Sequence, residues 1–362
     1  MHKILIAAGG TGGHIYPALA MAEAFVSRAS DTRIGFVGTR HGLENKIIPP
    51  KGFPVHHLSV GRLNSNVPIT ERVLTLVKLP WSLIESARLL RREKPDFVLG
   101  VGGHASGPLL LAASLLGYRT AIWEPNAMPG LANRWLARFV GDCWVVFDEA
   151  RALLHNRRMH AAGMPVRQEI ESEKAAPLQD DRFHILVFGG SQGARSINNA
   201  MLEIVRQGKL KNVHIVHQTG PADFARLKSE YDLLNGPVEV REYLHDMGDC
   251  YNRADLVVCR SGTGTLSELA ACGKPAILIP FPFAADDHQR KNAESLVSKG
   301  AATMILHEDL SPGRLREEIE RLQGDPEKRR RMSRAIRAFH QPRAAEKLVG
   351  EFTERIESHA SR

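Results

Sequence analysis

The chain has 362 residues, of which 43% are hydrophobic and 24% are charged, and its formal net charge is +8. The length is too great for one ordinary core and suits two domains, and the proportions are those of a soluble globular protein. The positive charge suits a phosphate-bearing substrate or an anionic membrane surface. With only five tyrosines and no stripe of alternating basic and aromatic residues, the sequence disfavours nucleic acid as a partner.

No apolar run reaches the roughly 18 residues of a membrane-spanning helix. The first residues lack the charged start and long apolar stretch of a signal peptide, so we expect a cytoplasmic location. The four cysteines form no CxxC pair, which favours reduced packing residues over zinc ligands or disulfides. The acidic pairs at 180–181 and 286–287 are interpreted as surface charge, so the sequence predicts neither a metal nor another cofactor.

A glycine-rich loop follows the first predicted strand, at 4–8. It reads GGTGGH and contains Thr11, Gly12, Gly13 and His14 at the start of a helical pattern. Glycines let a phosphate or sugar approach the backbone, and a helix start offers free N–H groups and the positive end of the helix dipole. Further strands are predicted at 33–37, 97–101, 120–123 and 143–147.

Two apolar stripes at helical spacing follow in residues 69–92. Pro80 is expected to break this segment into two pieces. One stripe can pack on the domain and leave the other for lipid, although both stripes can equally be buried. The first stripe is Val73, Val77, Trp81 and Ile84; the second is Leu76, Leu83, Ala87 and Leu90; the flanking basic residues are Arg72, Lys78, Arg88, Arg91 and Arg92.

The second half opens on another glycine loop, GGSQGA, which contains Ser191 and follows a strand predicted at 183–188. A later loop, CRSGTGT, leads into a helix that holds Glu268 and that Gly273 is expected to end. Near-continuous apolar strands separated by helices indicate parallel sheets that are buried on both faces. The further strands are predicted at 213–218, 238–241, 256–259 and 276–280.

The sequence therefore predicts an α/β protein with two Rossmann-like doubly wound domains, which face a cleft and clamp a ligand. We place the first domain at 1–163 and the second at 164–341. A C-terminal helix at 342–362 is expected to return to the first domain.

Seven segments, taken in order along nearly the whole chain, resemble the MurG family: GGTGGH, LGVGGHASGP, WEPNAMPGLANRWLA, GMPVR, VFGGSQGA, VVCRSGTGTLSELAACG and PFPFAADDHQRKNA. The resemblance implies the two-Rossmann GT-B glycosyltransferase fold. It also implies an inverting transfer of N-acetylglucosamine from its UDP ester to the muramyl 4-hydroxyl of undecaprenyl-linked lipid I, which gives lipid II for peptidoglycan. The first domain would take the acceptor at the cytoplasmic face of the membrane, as a peripheral protein, and the second would bind the UDP-sugar.

The resemblance also implies a role for individual residues. Thr11, Gly12 and Gly13 would lie by the diphosphate and sugar, and Asn126 would contact the N-acetylglucosamine. Arg167 and Ser191 would meet the donor phosphates. Leu244 would offer backbone groups to uracil, and Glu268 would accept hydrogen bonds from ribose hydroxyls. Gln289 would hold the sugar hydroxyls. The nucleotide would be lined by Thr263, Gly264, Thr265 and Leu266. The chain departs from the usual family pattern at His104, Pro125 and Met164.

Displacement at the anomeric carbon requires a general base, and two residues compete for that role. His14 has an ordinary pKa of roughly 6.5, which suits a base, and Glu124 is the other candidate. Helix-end N–H groups near Ser191, together with Arg167, can neutralise the diphosphate without a metal.

Other functions of the same fold remain open from sequence alone. They are transfer to another glycolipid, a UDP-sugar 2-epimerase and a non-catalytic nucleotide-sugar sensor. A nicotinamide-dependent dehydrogenase is disfavoured, because the segment after the second strand, VGTR at 37–40, lacks the acidic residue that binds the adenosine ribose.

Overall fold

The computed structural model describes residues 2–10, 12–61, 69–167, 170 and 181–360, with the backbone alone at 69, 71–74, 76 and 358–360. These residues form two compact units. Unit 1 comprises Met1–Pro165, Phe283–His288 and Arg343–Arg362, and unit 2 comprises Val166–Pro282 and Gln289–Pro342. Thr11 and most of the polar stretch at 171–181 lie outside the described residues.

Unit 1 is built on a seven-stranded parallel sheet in the order β3-β2-β1-β4-β5-β6-β7. The sheet reverses its order at β1, which pairs with both β2 and β4, so the loops after β1 and β4 are neighbours at the carboxyl edge. The strands are β1 (Lys3–Ala7), β2 (Arg33–Gly38), β3 (Val55–His57), β4 (Phe97–Gly100), β5 (Thr120–Glu124), β6 (Asp142–Val145) and β7 (Met159–Ala161).

The helices of unit 1 cover both faces of this sheet, which explains why its central strands are apolar throughout. They are α1 (Gly12–Arg28), α2 (Glu44–Ile47), α3 (Ile69–Glu93), α4 (Ser106–Leu115) and α5 (Leu131–Leu136), with 3-10 turns at Pro49–Lys51 and Asp148–Ala152.

Unit 2 repeats the plan with a six-stranded parallel sheet in the order β10-β9-β8-β11-β12-β13. Here the order reverses at β8, which pairs with both β9 and β11. The prediction of two doubly wound α/β halves is therefore confirmed. The strands are β8 (Phe183–Phe188), β9 (Val213–Gln218), β10 (Val238–Arg241), β11 (Leu256–Cys259), β12 (Ala276–Leu278) and β13 (Thr303–Met304).

The helices of this second half follow its strands in alternation. They are α6 (Arg195–Arg206), α7 (Phe224–Leu234), α8 (Met247–Arg253), α9 (Thr263–Cys272), α10 (His288–Ser298), α11 (Pro312–Gln323) and α12 (Pro326–Arg337), with a 3-10 turn at Ala285–Asp287. Gly273 ends α9 as predicted, in the left-handed conformation with φ of 63°, and its N–H bonds the carbonyls of Leu269 and Ala270.

The C-terminal helix, α13 (Ala344–Ala360), packs on unit 1 through an aromatic cluster. The Phe352 ring lies 4.6 Å from the Trp144 ring and 5.3 Å from the Phe97 ring, measured between centroids. Glu351 adds a polar contact, since its carboxylate accepts a 2.7 Å hydrogen bond from the Trp144 indole. The helix thereby closes one face of the unit 1 core.

Helix α3 corrects one prediction, because Pro80 does not break it. The helix is continuous over 25 residues with Pro80 inside it. Pro80 is exposed, so water can satisfy the carbonyl group that loses its N–H partner. Among the described residues, no helix is both long enough and apolar enough to cross a membrane.

Candidate active site

In unit 1, the loops after β1 and β4 pack directly on each other because glycines leave the room. A Cβ atom at Gly102 would lie 2.4 Å from Nδ1 of His14, and one at Gly103 would lie 2.7 Å from the carbonyl oxygen of Gly9. Both residues also adopt positive φ, 125° and 91°, which other residues rarely take. Gly102 therefore leaves room for the His14 ring, and Gly103 leaves room for the backbone of the first glycine loop.

A buried carboxylate supports the GGTGGH loop from below. Glu44 has no exposed surface, and its oxygens accept hydrogen bonds from the N–H groups of Gly10 (3.1 Å) and Thr39 (2.7 Å). Burial raises the pKa of Glu44, but these backbone donors outweigh it and hold the pKa below the usual range. Because Glu44 already occupies the Gly10 N–H, that group is not available to a phosphate.

The environment of His14 makes its ring a neutral group at physiological pH. Burial is the main cause, the neighbouring His288 and His104 add to it, and together they lower the pKa of His14 to about 4 against the opposing effect of the Val101 carbonyl. Its Nδ1 atom is buried and is among the few buried side-chain atoms of the described residues without a hydrogen-bond partner. A neutral imidazole can accept a proton.

Glu124, at the end of β5, is also buried, and its oxygens are engaged by amide groups. Oε1 accepts from the backbone N–H of Asn126 at 2.9 Å and from its side chain at 3.2 Å, and Oε2 accepts from Asn133 at 2.8 Å. Burial raises the pKa of Glu124, and the amide donors offset part of this rise. The carboxylate thus ties down the loop at 125–130 and orients Asn126.

In unit 2, the second glycine loop is pressed against the loop after β9. A Cβ atom at Gly193 would lie 1.8 Å from the carbonyl oxygen of Thr219, and Gly193 has a φ of 74°. A pocket opens beside this loop at the carboxyl edge of the sheet. It is lined by Arg167, Phe188, Gly190, Ser191, Gln218, Tyr243, Leu244, Met247, Thr265 and Glu268.

Three residues of this pocket form one polar cluster. Arg167 donates to a single oxygen of Glu268, Oε1, from Nε at 3.0 Å and from Nη2 at 2.9 Å. The other oxygen, Oε2, accepts from the hydroxyl of Tyr251 at 3.1 Å. Tyr251 is fully buried, and burial together with the negative Glu268 raises the pKa of its hydroxyl well above the usual value, so it stays a donor.

The structure thus brings five of the predicted residues around one pocket: Arg167, Ser191, Leu244, Thr265 and Glu268. Thr263, Gly264 and Leu266 lie in the first turn of α9 and are not among the lining residues. Gln289 lies at the start of α10, where its side-chain oxygen accepts from the N–H of Phe281 at 3.0 Å.

Several residues of these sites carried no signal in the sequence. Tyr251 bonds Glu268, 17 positions away, and Glu44 bonds Gly10, 34 positions away. Asn133 shares the segment WEPNAMPGLANRWLA with its partner Glu124, but the segment does not indicate that the two side chains are bonded. Among the described residues, no group of three or more His, Cys, Asp or Glu side chains is arranged to hold a metal ion.

Comparison with known proteins identifies the family. Residues 4–143 match the glycosyltransferase family 28 N-terminal domain, and residues 184–348 match its C-terminal domain. A crystal structure of MurG from Acinetobacter baumannii has a TM-score of 0.82 and 26% sequence identity, and the match covers 98% of this chain and 100% of that one. A protein of Bdellovibrio bacteriovorus named UDP-N-acetylglucosamine–N-acetylmuramyl-(pentapeptide) pyrophosphoryl-undecaprenol N-acetylglucosamine transferase is 48% identical over 353 residues, which is 96% of this chain and 98% of that protein.

The chain belongs to the MurG family. A protein of the same name from Myxococcus xanthus is 42% identical over 96% of this chain and 92% of its own length. The chain is accordingly an N-acetylglucosamine transferase with the GT-B glycosyltransferase fold, and the family resemblance inferred from the seven segments is confirmed.

Proposed function

We propose that the protein transfers N-acetylglucosamine from UDP-N-acetylglucosamine to N-acetylmuramyl-(pentapeptide) pyrophosphoryl-undecaprenol, the lipid I of peptidoglycan synthesis, to give lipid II. The 48% identity to a relative that bears these substrates in its name carries this proposal. The acceptor hydroxyl oxygen bonds to the anomeric carbon, and the bond from that carbon to the diphosphate breaks. The configuration at the anomeric carbon is inverted. The hydroxyl proton passes to a base, and UDP leaves.

The donor nucleotide is assigned to the pocket of unit 2. Its polar lining matches the chemistry of UDP, with Glu268 for ribose hydroxyls, Arg167 and Ser191 for the diphosphate, and the backbone at Leu244 for uracil. Thr265 at the start of α9 adds the positive end of a ten-residue helix. Thr263, Gly264 and Leu266 complete this turn in the proposal, and Gln289 holds the sugar hydroxyls.

The acceptor side is assigned to unit 1, with His14 as the general base. Its low pKa keeps the ring unprotonated at physiological pH, and Gly102 leaves the space that the ring occupies. Glu124 is the weaker candidate because amide donors already engage both of its oxygens. In the proposal, Gly12 and Gly13 lie by the diphosphate and sugar, and Asn126 contacts the N-acetylglucosamine.

Peripheral attachment to the cytoplasmic face of the membrane is assigned to α3. Of the two stripes, Val77, Trp81 and Ile84 are 71%, 53% and 44% exposed, whereas Leu90 is fully buried. The Arg88 guanidinium lies 5.6 Å from the centre of the Trp81 ring, so a cation accompanies the exposed aromatic residue. This combination suits an anionic lipid surface. The side chains of Arg72, Val73 and Leu76 lie outside the described residues.

A transfer assay with UDP-N-acetylglucosamine labelled in the sugar tests the proposal. We expect label to appear in the lipid fraction only when the lipid-linked acceptor is present, and to appear equally in excess chelator, because helix-end N–H groups and Arg167 take the place of a metal. Release of UDP-N-acetylmannosamine without an acceptor would identify a 2-epimerase instead. Transfer of the label to a different glycolipid, with no transfer to lipid I, would overturn the acceptor assignment.

A further inference from the structure

The donor pocket contains an ion pair between the two side chains that the proposed function assigns to different parts of UDP. Arg167 directs two donors, Nε and Nη2, at the single oxygen Oε1 of Glu268. A carboxylate oxygen accepts about two hydrogen bonds, so this pair saturates Oε1. A ribose hydroxyl that is to bond Oε1 must first displace the guanidinium.

Charge strengthens this competition. Burial alone would lower the pKa of Arg167, but the adjacent Glu268 carboxylate more than offsets it, and the pKa is raised. The Glu268 side chain is 15% exposed, whereas that of Arg167, which also lines the pocket, is 43% exposed. Moving the guanidinium away separates the largely buried carboxylate of Glu268 from its counter-ion, which is unfavourable. A new anionic partner for the displaced guanidinium would offset this cost.

We propose that the Arg167–Glu268 pair makes recognition of the nucleoside depend on its phosphates. A nucleoside diphosphate offers its own anion to Arg167, so the guanidinium exchanges one anionic partner for another while Oε1 becomes available to the ribose. A nucleoside without phosphates that is to bond Oε1 must separate the pair, and it offers nothing for the cation to bind. The pair therefore favours the nucleoside diphosphate and its sugar esters over the free nucleoside. This inference rests on the proposed function of the pocket.

Tyr251 allows the exchange to occur without movement of the carboxylate. Its hydroxyl holds Oε2 of Glu268, and its ring is fully buried with an edge contact to Phe188, 6.0 Å between centroids. When Arg167 leaves Oε1, the carboxylate keeps this second anchor. Glu268 is thus positioned for the ribose whichever partner Arg167 has.

Binding of uridine and of UDP to the Arg167→Met variant tests the proposal, with constants measured by NMR titration and calorimetry. We expect UDP affinity to fall by about tenfold or more, because a charge-assisted contact is lost. Uridine affinity should rise by about two- to fivefold, the range expected when a partly exposed ion pair no longer has to be broken. The matched control is Arg206→Met, whose arginine pairs with Glu230 on the outside of unit 2; both affinities should stay at the wild-type level. Uridine affinity that stays constant or falls in Arg167→Met would overturn the proposal.

The wild-type protein provides a test that needs no variant. Salt weakens the ion pair, so raising the salt concentration should increase uridine affinity while it decreases UDP affinity. Slopes of the same sign would contradict the proposal. Glu268→Gln separates this inference from the assignment of the pocket. If Glu268→Gln binds uridine and UDP as tightly as wild type does, Glu268 does not contact the ribose. If Glu268→Gln loses affinity for both ligands but Arg167→Met binds uridine like wild type, the ribose contact stands and only the proposed exchange is refuted.

Discussion

At the scale of single residues, His14 has an environment that suits a base better than an acid. With a pKa of about 4, the ring is neutral throughout the physiological range, although it is a weaker base than an exposed histidine. We expect His14→Asn to lower kcat by about 100-fold or more while UDP affinity changes less than twofold. Steady-state kinetics and calorimetry provide both numbers, and His155→Asn, at an exposed position of unit 1, is the matched control.

The pH dependence of the reaction provides a second test of the role of His14. The acidic limb of kcat/KM in the wild-type protein, which reports the free enzyme, should lie near pH 4 and not near the ordinary histidine value of roughly 6.5. Retention of nearly full kcat in His14→Asn would transfer the role of base to Glu124.

Glu44 is the residue on which the first glycine loop depends. Glu44→Gln replaces one acceptor oxygen by an NH2 group that must face a backbone N–H, so we expect a loss of about 1–3 kcal/mol in the free energy of unfolding. Because the folded-state pKa is lowered, the stabilisation from Glu44 is present above its usual pKa and disappears as the pH falls through the folded value. The difference in denaturant stability between wild type and variant should therefore shrink in acid. Glu23→Gln, on the exposed face of α1, should show neither effect, and an equally stable Glu44→Gln variant would mean that the carboxylate does not hold the loop.

At the scale of elements, we expect α3 to bind the anionic membrane surface. Combining Trp81→Ala with Arg88→Glu removes the exposed aromatic ring and reverses the charge beside it. Sedimentation with anionic vesicles should show several-fold weaker binding, since each basic residue near such a surface contributes about 1 kcal/mol, and high salt should weaken the wild type in the same way. Vesicle binding of the double variant at the wild-type level would place the membrane surface elsewhere. Vesicles of neutral lipid are the control for the charge contribution.

The sequence predicted the longer strands well and missed the shortest ones. Strands β8, β9, β10 and β11 have the predicted bounds. For β8 and β11 the reason is a short, almost wholly apolar run between helices, which favours a buried strand. The short strands at Val55–His57, Met159–Ala161 and Thr303–Met304 were missed. Two or three residues are too few for a periodic pattern, and β3 contains two histidines, so only pairing with a neighbouring strand makes these segments extended.

The candidate sites could be predicted only as loops. The position of glycines and polar residues at strand ends located both loop sets, since the carboxyl edge of a parallel sheet is where such folds bind ligands. The contacts inside the sites depend on tertiary packing. The sequence does not reveal that the Tyr251 hydroxyl donates to Glu268, or that Arg167 forms an ion pair with Glu268, which lies 101 positions later in the chain. The exposure that distinguishes the two stripes of α3 likewise depends on what the helix packs against.

At the scale of the whole molecule, a buried histidine in the core of unit 2 contributes to the loss of stability in acid. His217 has no exposed surface, and its ring nitrogens lie 3.0 Å from the Tyr231 hydroxyl and 3.1 Å from the Asn198 side chain. Burial lowers its pKa to about 3. The unfolded chain therefore binds the proton first, so the stabilisation is complete above roughly pH 6.5 and decreases as the pH falls towards 3.

We expect this residue to contribute up to about 1.4 kcal/mol per pH unit to the acid dependence of stability. His217→Asn should be less stable than wild type at pH 7, and the gap should narrow steadily between pH 6.5 and 3. Urea unfolding at a series of pH values measures it. A gap independent of pH would show that His217 is not the neutral buried group described here.

In the proposed function, the pocket of unit 2 binds the donor and Glu268 recognises its ribose. Calorimetric titration of UDP-N-acetylglucosamine into wild type, Glu268→Ala and the surface control Glu230→Ala is the most direct test, with circular dichroism to verify that each protein is folded. We predict an affinity lower by about tenfold or more in Glu268→Ala, from loss of a largely buried hydrogen-bonding group, and an unchanged affinity in Glu230→Ala. A folded Glu268→Ala protein that binds the donor as tightly as wild type would contradict the account.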